Sequence, residues 1–205
     1  MVASSPPTPA CTSPIFTQIK KSQSSRSVSS AESLSFGGRC NIGKDNFIMI
    51  LTQHEADTLR EIEKCLASPT SVRLPQRRET KLYPLWYQYN GRNKDDMTLS
   101  AFRGNKNPKK VSFRLLYSQC IILVRIDTQD PTPHTNPDGT RIAPLEPHIH
   151  IYKEGYGDKF AYPLPEEFSH TNDIIDLFMD FLAYSHVINR DQVHLVEPEV
   201  LFDGY

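Results

Sequence analysis

The sequence predicts an α+β domain in which an antiparallel sheet, most simply a meander, is packed by an N-terminal and a C-terminal helix. Three observations carry this. A helix start signal at Thr52 precedes a series of short strand-like segments, and a second apolar helical period follows them near Ile174, giving the order helix, strands, helix. The strand-like segments are rich in β-branched and aromatic residues and are separated by turn residues. One of the links, Ser118-Gln119, has the length of a two-residue hairpin.

The first element is a helix from Thr52. Thr52 with Glu55 forms a capping box, and Leu59, Ile62 and Leu66 then share one face until Pro69 forbids continuation. Ser68 to Thr80 is a polar, proline-containing connection. Strands are expected over Leu82–Tyr89, Met97–Arg103, Val111–Tyr117 and Ile121–Asp127, with Asn90-Gly91, Gly104 to Asn107 and Ser118-Gln119 between them. A long loop, residues 128–147, contains the turn Asn136-Pro137-Asp138-Gly139, where Pro fixes φ and Gly accepts a positive φ. Loops of this length in a compact domain tend to be functional or disordered. His148–Tyr152 is the next strand, Glu154 to Asp158 a glycine-rich turn, and Lys159–Tyr162 a partner strand. Thr171 or Asn172 caps a second helix whose buried face is Ile174, Ile175, Leu177, Phe178, Phe181, Leu182 and Val187. Val193 to Glu197 is expected as a final edge strand.

Residues 1–40 hold eleven Ser and show no apolar period, so they cannot offset their ordering entropy by burial and are expected to be disordered. Residues 1–48 carry five Lys or Arg against two Asp or Glu, whereas the whole chain has 23 against 24 and a net charge of −1. Two readings fit such a leader. It is either a basic, serine-rich transit segment or the product of a start assigned too far upstream, and the abrupt onset of patterning at Met49 favours the second. The domain is therefore expected to span residues 49–205. A net charge of −1 supplies no overall attraction to nucleic acid or anionic lipid, so any such contact needs a local basic surface. No apolar run approaches the roughly 20 residues that span a bilayer. Cys11, Cys40, Cys65 and Cys120 are scattered, which argues for a reducing compartment, the cytoplasm, and against a zinc ribbon.

The chemistry concentrates in Pro147-His148-Ile149-His150-Ile151-Tyr152. Strand alternation sends Ile149 and Ile151 to one face and His148, His150 and Tyr152 to the other, with the imidazoles ~6–7 Å apart along the chain. The same logic on Ile121–Asp127 groups Ile122, Val124 and Ile126 as core and turns Arg125 and Asp127 away from it. His134 and Asp138 from the long loop, with Glu154, Tyr156 and Lys159 from the following turn, border the resulting polar face.

Three functions fit these residues. In the first, His148 and His150 are the acid/base pair of a metal-independent RNA cleavage. Arg125 and Lys159 stabilise the phosphate, and His134 and Tyr152 assist. Histidine suits the task because both protonation states are available near neutral pH. In the second, His148 and His150 chelate a metal with Glu154, Asp138 or Asp127. His148-x-His150-x-x-x-Glu154 resembles the first cupin motif but departs from it, since Ile142 stands where a glycine is required and no second motif follows Gly157. In the third, the polar face docks a partner or antidote protein and catalyses nothing. No cofactor is expected.

Blander roles also fit. Asn136, Asp138, Gly139, Gly155 and Gly157 suit turn formation, His54, His170, His186 and His194 peripheral positions, and Cys120 a small core site. Arg103, Arg114 and Arg125 recur at eleven-residue spacing, with Lys106, Lys109, Lys110, Lys81, Arg92 and Lys94 nearby and Trp86, Tyr87, Tyr89, Phe102 and Phe113 interleaved. Such a ribbon suits RNA, whereas its alternative is a solvated face with aromatics in the core.

Several motifs together resemble a bacterial and prophage domain family of unknown function. They are the stretch from Met49 through Thr52, Gln53 and Glu55 to Asp57, Arg125-Ile126-Asp127, His134 to Gly139, the block from Pro147 to Pro165, and Asp180-Phe181-Leu182. The resemblance covers residues 49 to about 202. It implies a domain start at Met49 and a bacterial cytoplasm. Domains of this kind are associated with defence and toxin–antitoxin islands, and the resemblance itself implies no activity.

Because residues 1–48 lack apolar periodicity, deleting them should leave the unfolding free energy within about 1 kcal/mol of the full chain. A large fall in melting temperature on deletion would show that the leader packs on the domain.

Overall fold

The computed structural model describes residues 51–195. The leader and the expected start at Met49 lie outside that range. Helix α1 spans Gln53–Glu61 and α2 spans Ile174–Tyr184. The strands are β1 (Lys64–Leu66), β2 (Thr80–Tyr89), β3 (Arg92–Arg103), β4 (Val111–Tyr117), β5 (Ile121–Asp127), β6 (His134–Thr135), β7 (Arg141–Ile142), β8 (His148–Ile151) and β9 (Ala161–Pro163). Seven of them form one antiparallel sheet in the order β1-β2-β3-β4-β5-β8-β9, and β6 with β7 form a separate hairpin. The α+β class and the meander agree with the sequence expectation. No helix among the described residues is long and apolar enough to cross a membrane.

Local chemistry sets most boundaries. The α1 capping box closes as expected, with the Glu55 amide donating to Thr52 Oγ1 at 3.2 Å and the Thr52 amide donating to Glu55 Oε2 at 2.9 Å. The helix stops at Glu61, however, and Ile62 is already extended. Leu66, expected on the helix, lies in β1 instead, because the chain turns to pair with β2. At the other helix the cap is Asp173, not Thr171 or Asn172, and its carboxylate accepts from the amides of Ile175 and Asp176 at 2.7 and 3.1 Å. The hairpin turns Asn90-Gly91 and Ser118-Gln119 have positive φ at both residues, matching the twist of the strands they join. The long loop is partly ordered by β6 and β7. Val193 to Leu195 are not a strand, and the rest of that expected strand lies outside the described residues.

The core sits between α2 and one sheet face. Phe178 packs 5.1 Å from Phe113 and 5.5 Å from Tyr83, centroid to centroid, and Phe181 lies 5.8 Å from Phe113. Leu99, Leu115, Val124, Ile126 and Ile149 complete the same layer, all buried. One sequence expectation is corrected here. A bulge between Leu115 and Leu116 leaves Leu123 without a partner in the register, so Leu123 is buried and Ile122 is only half-buried.

Both sheet edges are closed by an asparagine. The amide of Asn189 accepts from the backbone N–H of Leu66 at 2.9 Å and donates to its carbonyl at 3.1 Å. Asn136 does the same for Ala161, at 2.7 and 2.8 Å. Each side chain stands in for one residue of a further strand, so the edges offer no open ladder there. Asn136 thus adds a long-range clamp to its expected part in the turn.

Lys64 is wholly buried in β1, and its ammonium donates to the carbonyls of Arg60, Ile62 and Ser185 at 2.8, 2.7 and 3.1 Å. It closes the carboxyl ends of α1 and α2 together. Neither Cys65 nor Cys120 is a free thiol, which corrects the expectation of scattered reduced cysteines. Sequence spacing carries no information about which sulfurs meet in space.

Burial pushes the Lys64 amine down to about 7. Between that value and the ordinary lysine range the unfolded chain holds a proton that the folded chain has released, so stability should rise with pH across that window. Replacing Lys64 with Met should remove this slope and, at pH 7, cost about 2 kcal/mol through three carbonyls left without a donor. Urea unfolding at several pH values measures both, and an unchanged slope would show that Lys64 keeps its proton in the fold.

Candidate functional site

The register between β5 and β8 builds the site. Arg125 lies directly opposite His150, and Asp127 directly opposite His148. On the other side of β5, Arg114 stands opposite Arg125 and Ser112 opposite Asp127. Cross-strand neighbours of this kind have side chains on the same face within contact distance. Arg125, Asp127, His148 and His150 therefore share one polar face, opposite the layer formed by Val124, Ile126, Ile149 and Ile151.

His134, carried by β6 on the long loop, closes over this face. Its ring centroid is 4.7 Å from that of His150 and 6.0 Å from that of His148, and the His148 and His150 centroids are 5.0 Å apart. Asn136, two residues on, clamps this loop to β9 through Ala161. His148 and His150 are 4% and 1% exposed, while His134 is half-buried.

The hydrogen bonds fix the imidazole tautomers. His148 Nδ1 lies 2.8 Å from the Glu146 carbonyl, His150 Nδ1 2.9 Å from the Asp158 carbonyl, and His134 Nε2 2.9 Å from the Lys159 carbonyl. A carbonyl only accepts, so each of these nitrogens carries a hydrogen. In the neutral rings the lone pairs are then on His148 Nε2, His150 Nε2 and His134 Nδ1.

Arg125 occupies the centre. Its Nη2 donates to His150 Nε2 at 2.9 Å, its Nε lies 2.8 Å from Asp127 Oδ2, and its Nη1 is paired with Asp158. Asp127 Oδ2 is also 3.4 Å from His150 Nε2 and 4.0 Å from His148 Nε2. Burial alone raises the Asp127 carboxyl, but the Arg125 guanidinium and Ser112 override it and hold the group below the ordinary carboxylate range. Burial, reinforced by Arg125, lowers His150 despite the opposing pull of Asp127. With Nδ1 donating to the Asp158 carbonyl, the lone pair on Nε2 of the neutral ring faces the guanidinium. Both of its nitrogens are engaged, whereas His148 Nε2 has only the carboxylate in front of it.

Three of the residues expected at the site are placed differently by the fold. Tyr152 is buried beneath the start of α1, with its hydroxyl donating to the Leu51 carbonyl at 2.8 Å. Glu154 accepts from the Gln53 amide at 2.9 Å, and Gln53 Oε1 accepts from the Glu154 amide at 3.0 Å. Asp138 folds back on Thr140. Lys159 is exposed beside the cluster, its carbonyl held by His134. The three potential metal-ligand atoms that converge within 4.8 Å belong to Asp127, His148 and His150. The guanidinium of Arg125 already contacts two of those three atoms, so an internal cation stands where an ion would be held.

Asp158, which the sequence places only in a glycine-rich turn, joins the site by pairing with Arg125. The only sequence signal for it is its place in the run that follows the histidine strand and folds back toward β9. An open cleft of about 440 Å³ lined by Gln53, Ile151, Tyr152, Lys153 and Tyr162 lies nearby, but none of its lining residues belongs to the cluster. The three arginines at eleven-residue spacing do not form an open ribbon. Arg103 is buried and donates to the Pro108 carbonyl at 2.9 Å, Arg114 is half-buried beside Arg125, and Arg125 is the centre of the cluster. Tyr87 and Phe113 are core residues.

Residues 51–187 match a family described as a family of unknown function (DUF6978). Comparison with curated proteins and with solved structures finds no match.

Purified protein should carry well under one equivalent of zinc, iron or manganese, because Arg125 competes for the same lone pairs. The Arg125→Ala variant should take up zinc where the native chain does not. One tightly held ion in the native protein, lost in His148→Ala, would show that the guanidinium gives way to a metal.

Proposed function

The chain belongs to that family of unknown function, and we propose for it a metal-independent, toxin-type endoribonuclease activity in a bacterial or prophage setting. The observation that carries this reading is the gathering of His134, His148 and His150 around Arg125 and Asp127, with ring centroids 4.7–6.0 Å apart. Two imidazoles with unengaged lone pairs beside a buried cation are the parts that RNA cleavage needs.

The roles follow from the hydrogen bonds. His148 Nε2 takes the proton of the ribose 2′-hydroxyl, with the adjacent Asp127 carboxylate stabilising the resulting imidazolium. The 2′-oxygen bonds to phosphorus, the bond from phosphorus to the 5′-oxygen breaks, and protonated His134 delivers its Nδ1 proton to that leaving oxygen. The product is a 2′,3′-cyclic phosphate, and no metal enters the balance. Arg125 and the exposed Lys159 stabilise charge on the phosphate. His150, engaged at both nitrogens, positions Arg125; the acid partner of His148 is thus His134, a change from the sequence-level pairing with His150.

A second reading is favoured by the near-complete burial of His148 and His150. Here the cluster holds the 128–147 loop in shape as a docking surface for a partner or antidote protein.

Expression of the full chain without an antidote should slow bacterial growth and shorten cellular RNA. His148→Ala and His134→Ala should each lower cleavage roughly 10²–10⁴-fold while the domain stays folded. Arg125→Lys should also inactivate, since an ammonium does not span His150, Asp127 and Asp158 at once. A native protein that cleaves no RNA yet captures one specific protein in a manner lost with His134→Ala establishes the docking reading instead.

A further inference from the structure

The cations left free once the cluster is assembled collect at one end of the sheet. The register aligns Phe102 with Ser112, Ser112 with Asp127 and Asp127 with His148, so the end of β3 and the start of β4 lie at the same sheet end as Asp127 and His148. Two loops border this end, residues 76–79 before β2 and residues 104–110 between β3 and β4. The first is joined to the end of β3 by the Arg78 amide, which donates to the Arg103 carbonyl at 3.1 Å, and the second is closed on itself by the Gly104 amide, which donates to the Lys110 carbonyl at 2.7 Å.

Six cations sit in or beside these loops: Arg77, Arg78, Lys81, Lys106, Lys109 and Lys110. Two carboxylates accompany them. Glu79 pairs with Lys81, and Asp130 pairs with Lys110 at 2.9 Å. Arg77, Arg78, Lys106 and Lys109 are exposed and make no ion pair with another described residue. In a chain of net charge −1 this is a marked local excess of positive charge.

The rim is also tied to the loop that carries His134. Thr128, the first residue of that loop, donates from Oγ1 to the Lys109 carbonyl at 3.0 Å and accepts from the Val111 amide at 3.3 Å. Counting strand spacings, β3 is about 14 Å and β2 about 19 Å from β8, a span of several nucleotides.

We infer that this basic rim holds the phosphate backbone of single-stranded RNA leading into the histidine cluster, an inference that rests on the cluster being an RNA-cleaving site. Single strands are specified by access, since His148 is 4% exposed beneath His134 and a duplex is too wide to reach it. The contacts are to phosphates; Phe113 is buried in the core, and Phe102, half-buried on the face of Asp127 and His148, is an aromatic ring this sheet end leaves partly open.

Binding is read on the full chain carrying His148→Ala, with a labelled single-stranded RNA of about twelve nucleotides. Four phosphate contacts predict a slope of log affinity against log salt of about −3. Arg77→Gln with Lys106→Gln should weaken binding and reduce that slope by about 1.4, whereas Arg92→Gln with Lys94→Gln, at the opposite sheet end, should leave it unchanged. In the otherwise native chain the Arg77/Lys106 pair should not alter cleavage of a dinucleotide, which is too short to reach the rim. Equal binding by both paired variants, or a salt-independent interaction, overturns the rim as an RNA track. Rim-dependent binding without cleavage by the native chain sinks the cleavage reading alone, and cleavage with rim-independent binding sinks the rim alone.

Discussion

The pairing of β5 with β8 is the constraint on which the rest of the molecule depends. One register sets Val124 beside Ile151 and Ile126 beside Ile149 on the face under α2, and Arg125 beside His150 and Asp127 beside His148 on the other. Because side chains alternate, a slip of one residue would turn the isoleucines outward and drive a guanidinium and a carboxylate under α2. Each large aliphatic residue exposed in that way costs about 1.5–3 kcal/mol, and the buried charges cost more. Hydrophobic burial on one face therefore positions the ionisable groups on the other.

Within the cluster, charge and hydrogen-bond direction act together. Two carboxylates, Asp127 and Asp158, surround one guanidinium, so the charges that burial takes out of water are paired with one another. Backbone carbonyls of Glu146, Asp158 and Lys159 take the outer N–H of each imidazole and so direct the remaining lone pairs. The same outer-shell arrangement serves metal ligands elsewhere, whereas here the guanidinium of Arg125 takes the central place among the lone pairs.

Asn136, Asn189 and Lys64 are likewise engaged at the places where regular structure ends. Asn136 and Asn189 complete the outer peptide groups of β9 and β1, and Lys64 gathers carbonyls from the ends of both helices. These contacts share one physical cause, since an unpaired peptide group removed from water costs more than the side chain needed to satisfy it. Asn136 links this structural requirement to the site, because the loop it clamps carries His134.

The sequence alone determined what local physics controls. The α1 capping box, the hairpin turns, the strands from β2 to β5, and the placing of Arg125, Asp127, His148 and His150 on a polar face follow from periods of 2 and 3.6 and from turn residues. Tertiary structure decided what depends on contacts distant in sequence. Leu66 left its helical pattern because an edge strand was available to it, and the bulge at Leu123 reset the alternation that Ile122 suggested. Tyr152 and Glu154, adjacent to the histidines in sequence, were drawn away by Leu51 and Gln53. Asp158 and His134 joined the cluster through turns whose path no local period encodes. Periodicity assigns a side chain to a face, but only the three-dimensional path of the chain assigns it a neighbour, and hydrogen-bonding chemistry depends on the neighbour.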